Sequence, residues 1–143
     1  MSRYILDLGK YKFPQHQFEP RYPHSLKQLK LETSSSVEKI GEVPYDFIRK
    51  RLSVAIRTEN EKLLISKGAF SQILSVCSKI KTGHERLDEI SAHKQELENL
   101  YANYGNSGLR AIAICYKAID TTNISKDIES NMIFAGFILM NDP

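Results

Sequence analysis

The chain has 143 residues, 41% of them hydrophobic and 26% charged, which is the size and composition of one globular domain able to bury its own core. Its formal charge of +3 arises in residues 1–35, where six Lys/Arg face three acids, while the remainder holds fourteen of each sign. So mild a balance excludes the dense basic face needed to neutralise many nucleic-acid phosphates, and no run approaches the roughly eighteen consecutive apolar residues of a membrane span.

The start, Met1-Ser2-Arg3-Tyr4-Ile5-Leu6-Asp7, has no apolar core long enough for a signal peptide, and the chain is expected to be soluble. Residues 1–36 read as a poorly patterned basic arm. Within it, Lys12 to His24 carries three prolines and no helical or strand period, so it is expected to be extended or loosely packed. Thr33 to Ser36 follows as a polar linker, and the ordered domain is predicted over residues 37–143.

Val37 to Val43 and Leu52 to Ile56 have strand patterns, and Lys62 to Ser66 forms a predicted hairpin partner across the polar Arg57-Thr58-Glu59-Asn60-Glu61 turn. Phe70, Ile73, Leu74, Cys77 and Ile80 recur at helical spacing, with Gly68 where strand would give way to helix. A second amphipathic helix is predicted from Leu87, Ile90, Leu97, Leu100, Tyr101 and Tyr104, with Gly105 as its C-terminal cap. Leu109 to Tyr116 and Met132 to Met140 suit buried strands, separated by the polar loop Asp120 to Ser130. The order strand, strand, helix, helix, strand, strand predicts an α+β fold, an antiparallel β-sheet with its helices packed against it.

Cys77 and Cys115 lie far apart in apolar segments with no Cys-x-x-Cys pair, so they are predicted to be buried thiols in a reducing compartment, neither a disulfide nor a zinc site. His16, His24, His84 and His93 show no metal-ligand spacing and no Ser/His/Asp arrangement. No catalytic residue and no metal site is assigned.

The binding chemistry concentrates in two places. Tyr45 and Phe47 alternate along a segment expected to be extended, so they share a face; one ring is expected in the core and one in a pocket, where it would stack on a base. The Arg49-Lys50-Arg51 run after them is either a solvated turn or part of that pocket. Lys67, next to Gly68 at a strand-to-helix junction, is either a solvated lysine or one placed where backbone N–H groups and a helix N-terminus suit phosphate oxygens. It is not a Walker loop, which needs a four-residue spacer and a second glycine before the lysine. Arg110, at the mouth of the strand Ala111 to Cys115, can clamp a phosphate or ribose or pair with a surface carboxylate.

The blocks Lys39-Ile40-Gly41-Glu42-Val43-Pro44-Tyr45-Asp46-Phe47-Ile48-Arg49-Lys50-Arg51-Leu52-Ser53-Val54, Leu64-Ile65-Ser66-Lys67-Gly68-Ala69, Ile73-Leu74-Ser75-Val76-Cys77, Gly108-Leu109-Arg110-Ala111-Ile112-Ala113, Glu129-Ser130, Gly136-Phe137-Ile138 and Asp142-Pro143, in that order, resemble the nucleotide-binding (N) domain of P-type ATPases. The variant most similar is that of the bacterial magnesium-transporting pumps, over roughly residues 37–143. The resemblance implies that Tyr45 stands where the family usually has the phenylalanine that stacks on adenine. It implies that Lys50 lies near the phosphates, and that Lys67 with Gly68 sits deep in the adenosine pocket. Leu52 and Ile112 would be apolar walls, Arg110 would reach the phosphate or ribose, and Asp142-Pro143 would be the hinge to the phosphorylation domain. Phe47 is the second candidate ring of the same site.

Two family features are missing from the sequence. The acidic motif that contacts adenine has no match in residues 1–36, where Glu32 is a weak substitute, and the Asp-Lys-Thr-Gly-Thr phosphorylation motif is absent. The resemblance therefore implies an isolated N domain of a magnesium-transporting pump, on the cytoplasmic side of the membrane. It would bind ATP, with Mg2+ on the phosphates, for transfer to an aspartate elsewhere, without hydrolysing ATP itself. Its expected partners are the phosphorylation and actuator domains of the pump, with no nucleic acid and no direct membrane contact, and the domain is expected to be a monomer. The alternatives are an N-domain-like protein-interaction module that has lost nucleotide binding, or a weak RNA binder using Arg49-Lys50-Arg51 and its aromatics.

Overall fold

The computed structural model describes residues 7–8, 11–12, 37–82 and 86–141. Two short strands, β1 (Asp7–Leu8) and β2 (Tyr11–Lys12), pair with each other. The other seven are β3 (Glu38–Val43), β4 (Arg51–Arg57), β5 (Lys62–Gly68), β6 (Cys77–Thr82), β7 (Arg86–Glu89), β8 (Leu109–Ile119) and β9 (Met132–Asn141). They form one sheet in the order β3-β4-β5-β8-β9-β6-β7. The rest of the arm predicted over residues 1–36, Glu32 included, and the Asp142-Pro143 hinge lie outside the described residues.

The β4–β5 hairpin forms where the polar turn predicted it. Thr58 closes that turn, its backbone N–H donating to the Glu61 carbonyl at 2.8 Å while its hydroxyl accepts from Glu61 N at 3.1 Å, a local side-chain bond that ends the strand. The sheet is mixed, which corrects the antiparallel expectation: β6 runs parallel to β9, Cys77 opposite Met132 and Ile80 opposite Phe134.

That pairing also explains why the first predicted helix is cut short. α1 spans only Phe70–Leu74. Beyond it the chain turns outward at Ser75, and Val76 O accepts from Met132 N at 2.8 Å. The spacing of Phe70, Ile73, Leu74, Cys77 and Ile80 fits a helix, but Val76, Ile80 and Thr82 are β-branched and an open edge of β9 is available, so tertiary pairing overrides the period.

The second helix is likewise shorter than predicted. Leu87 lies on the edge strand β7, half-exposed, and Ile90 begins a single 3-10 turn (Ile90–Ala92). α2 then runs Lys94–Asn106 and buries Leu97 and Tyr104. Gly105 is inside the helix; the left-handed position that ends it belongs to Gly108, with φ +81°, where lack of a Cβ makes that conformation inexpensive.

The two helices cover one face of the sheet. Phe70, Ile73, Leu97 and Tyr104 pack with Ala55, Leu64, Ala113, Cys115, Phe134 and Phe137 in one core, where a fully buried leucine such as Leu97 contributes about 2 kcal/mol. The other face carries a second buried cluster of Ile56, Leu63, Ile65, Ile114, Tyr116, Ala135 and Ile138. Both cysteines belong to the helix-side core, Cys115 with no exposed surface and Cys77 half-buried.

Candidate nucleotide pocket

Antiparallel pairing brings the start of β4, the end of β5 and the start of β8 to the same end of the sheet. Leu52 lies opposite Lys67, and Gly68 opposite Ala113. Along β8, Arg110, Ile112 and Ile114 share one face by alternation, and Ile114 pairs with Lys67. At this end opens a cavity of about 340 Å³ lined by Tyr45, Leu52, Lys67, Gly68, Ala69, Tyr101, Arg110, Ala111 and Ile112.

Its walls are apolar on the strands, aromatic at Tyr45 and Tyr101, and cationic at Lys67 and Arg110. Burial pushes the Lys67 ammonium below the ordinary lysine value of 10.5, since a less solvated cation is costlier to hold. Tyr101 enters from α2, its ring stacked on Phe70 with centroids 4.7 Å apart. A flat, partly polar ligand with an anionic tail matches this lining.

Gly68 has a packing role here. A Cβ on it would stand 2.7 Å from Arg51 Cα, and closer still to the Lys50 carbonyl oxygen. That oxygen accepts from Ala69 N at 3.0 Å, so the β3–β4 connection passes directly over the glycine. Lys50 adopts φ +52°, the left-handed conformation that turns its carbonyl toward Ala69.

The same connection carries Tyr45 and rests on a buried carboxylate. Glu129, just before β9, is fully buried at its side chain. Its Oε1 accepts from Arg49 Nε at 2.9 Å and Arg51 Nε at 3.0 Å, and its Oε2 from Arg49 at 3.0 Å and from the Ser53 hydroxyl. Burial alone would raise the Glu129 carboxyl, but the bonds from Arg49 and Ser53 and the charges of Arg51 and Arg49 outweigh it and hold it below its ordinary value. A buried charge so fully paired is tolerated, whereas one partner removed leaves the other uncompensated.

The model of the P-type ATPase cytoplasmic domain N matches residues 18–143. The chain belongs to this family. It is 33% identical over 115 residues to the magnesium-transporting ATPase, P-type 1, of Escherichia coli strain K12, covering 77% of this chain and 13% of that protein. It is 29% identical over 122 residues to a probable cation-transporting P-type ATPase of Mycoplasma genitalium (81% and 12%), and 31% identical over 109 residues to calcium-transporting ATPase 1 of Bacillus cereus (74% and 12%). The chain thus spans about an eighth of the length of these relatives. Among its described residues, no helix is long and apolar enough to cross a membrane.

For this N domain, the cavity brings together Tyr45, Leu52, Lys67, Gly68, Arg110 and Ile112 from the residues singled out in the sequence. Phe47 and Lys50 stand apart from it. Tyr45 lies outside any strand and Phe47 begins a turn over residues 47–49, so the two do not alternate as on a strand. Both rings are exposed, Tyr45 at 49% and Phe47 at 85%, and they meet edge to face at 5.7 Å, so neither is a core residue. Lys50 is also exposed, and it is its backbone that shapes the site. Gly68 does not make a left-handed turn, and the five-residue α1 supplies no extended helix N-terminus beside Lys67.

Arg49 and Arg51 are not a solvated turn: both are largely buried against Glu129. The sequence reading missed Tyr101, taken as part of an apolar helix face, and the pairing of the two arginines with Glu129. The signal for Tyr101 was available, since an aromatic in the second half of α2 lies seven residues, about two turns, before the Gly108-Leu109-Arg110 entry to β8.

Proposed function

We propose that this domain binds adenine nucleotide in the cavity at the strand ends, as the ATP-binding part of a magnesium-transporting P-type pump. The observation that carries this reading is the convergence of Tyr45, Leu52, Lys67, Gly68, Arg110 and Ile112, drawn from three separate stretches of sequence, on one cavity. ATP binding is typical of the family to which the chain belongs. In this reading Tyr45 stacks on the adenine, Leu52 and Ile112 flank it, Lys67 lies beside the base and ribose, and Arg110 reaches toward the ribose and phosphates. Mg2+ travels on the phosphates as part of the substrate.

The intact pump would use the domain to hold ATP so that its γ-phosphate meets an aspartate of a separate phosphorylation domain, with the actuator domain as a further partner. Such catalysis is positioning and charge neutralisation shared between domains, and the isolated domain binds without turning ATP over. One stacked ring, one half-buried cation at Lys67 and one solvent-screened cation at Arg110 support roughly 4–6 kcal/mol, a dissociation constant between tens of micromolar and about 1 mM.

Calorimetric titration of the parent and Tyr45→Ala with ATP and adenosine tests this reading. Loss of the ring should weaken both ligands by about 1–3 kcal/mol, with little dependence on salt. A folded Tyr45→Ala domain that binds ATP as the parent does would refute the stacking role.

A further inference from the structure

Tyr45 is half-exposed, and its ring neighbour Phe47 is more exposed still, so packing does not fix the ring that the proposed function places on the base. Polar contacts hold the peptide units around it. The Arg49 guanidinium donates to the Pro44 carbonyl at 3.2 Å and to the Asp46 carboxylate, the residues on either side of Tyr45. Asp46 Oδ1 in turn accepts from Ile48 N at 2.9 Å and Arg49 N at 2.6 Å, and Lys50 N donates to the Asp46 carbonyl at 2.8 Å. The turn is closed by Asp46 and its own backbone, and the Arg49 guanidinium ties it to the fold on both sides of Tyr45.

That guanidinium is itself immobilised. Its Nε and one terminal nitrogen form a two-pronged bond with Glu129, and it also donates to the Arg51 carbonyl at 3.1 Å. Planar two-point geometry of this kind fixes orientation as well as distance. Asp46 and Glu129 balance Arg49 and Arg51 in charge, so the cluster can stay inside the fold without a counter-ion. Neither Arg49 nor Glu129 lines the cavity.

We propose that Arg49, anchored by buried Glu129, is a positioning residue that presents Tyr45 to the adenine in a pre-formed orientation. The pair contributes to affinity without touching the ligand, because a turn already ordered in the free protein does not have to be ordered on binding. This inference rests on the proposed nucleotide function, but the rigidity of the turn can be measured without any nucleotide.

The experiment uses the 143-residue chain and compares the parent with Arg49→Gln, Tyr45→Ala and the double variant. Since Arg49→Gln leaves Glu129 buried beside a weaker partner and could disturb folding, Asp46→Asn serves as a second route. It keeps an Oδ1 acceptor for the Ile48 and Arg49 amides, replaces the Oδ2 that accepts from the guanidinium with an amide nitrogen, and leaves the Arg49–Glu129 pair intact. Amide hydrogen exchange is read first. The amides of residues 48–50, which carry the hydrogen bonds of the turn, should exchange at least about tenfold faster in Arg49→Gln and Asp46→Asn, while β5 and β8 keep parental protection. Unchanged exchange in the turn of a folded variant would overturn the proposal.

ATP and adenosine titrations follow. Each variant should weaken both ligands about tenfold when Tyr45 is present, and by less than about twofold in the Tyr45→Ala background, because the two residues act as a unit. Equal losses in both backgrounds would overturn the positioning role. A parent that binds no nucleotide would instead refute the proposed function, leaving the exchange measurement to decide whether Arg49 orders the turn.

Discussion

Replacing Gly68 by alanine puts a methyl group where the Lys50–Arg51 backbone already lies. The added Cβ would be 2.7 Å from both Arg51 Cα and Arg51 Cβ, well inside ordinary carbon contact distance. Arg51 pairs with Gly68 across the β4–β5 ladder, and the Lys50 carbonyl accepts from Ala69 N, so there is no flexible side-chain end to move aside. The backbone itself must shift. Loss of the Ala69–Lys50 hydrogen bond costs about 1 kcal/mol and overpacking about 1–3 kcal/mol, so Gly68→Ala should destabilise the domain by about 2–4 kcal/mol. For a chain of this size that corresponds to a fall in Tm of roughly 6–12 °C.

Far-UV circular dichroism melts of Gly68→Ala and Gly105→Ala provide a test with an internal control. A Cβ on Gly105 meets nothing within 4 Å, and that glycine is inside α2, so its replacement should stabilise by about 0.5–1 kcal/mol. A Gly68→Ala domain within about 0.5 kcal/mol of the parent would refute the packing role assigned to this glycine.

Two further outcomes follow from burial. The Lys67 cation has its pKa lowered below 10.5 by burial, and an anionic ligand favours the charged form. ATP affinity should therefore be greatest below that lowered value and decline as pH rises through it, in titrations of a still-folded protein; Lys67→Met should abolish that decline. The burial cost that the charged lysine imposes on stability is relieved over the same rise, up to the unfolded value. Cys115 has no exposed surface, and burial first, then the neighbouring Cys77, raise its thiol well above the ordinary range. In a Cys77→Ser background, thiol labelling should proceed only at the rate of unfolding, and rapid labelling of the native protein would contradict the buried placement.

Much of this architecture was legible in local pattern. The β3 to β5 strands and their Thr58–Glu61 turn follow directly from alternation and turn chemistry, and so do β8 and β9. What local pattern could not supply was the partner of each segment. Cys77–Thr82 has a helical period and becomes a strand because β9 offers it an edge, and Leu87 belongs to a strand because β6 is then available to pair with it. The pocket was legible in the same measure. Lys67, Arg110, Leu52 and Ile112 converge because antiparallel pairing stacks the ends of three strands. The fate of Arg49 and Arg51, in contrast, was set by Glu129, about eighty positions away in the chain. A run of three basic residues carries no sign that two of them will be buried against a distant carboxylate.

The most direct test of the nucleotide-binding account is an ATP titration of the domain followed by backbone amide NMR. The account predicts fast-exchange shifts concentrated at Tyr45, Leu52, Lys67 to Ala69, Tyr101 and Arg110 to Ile112, saturating with a dissociation constant between tens of micromolar and about 1 mM. Shifts scattered over the surface, or no shifts at millimolar ATP, would contradict it.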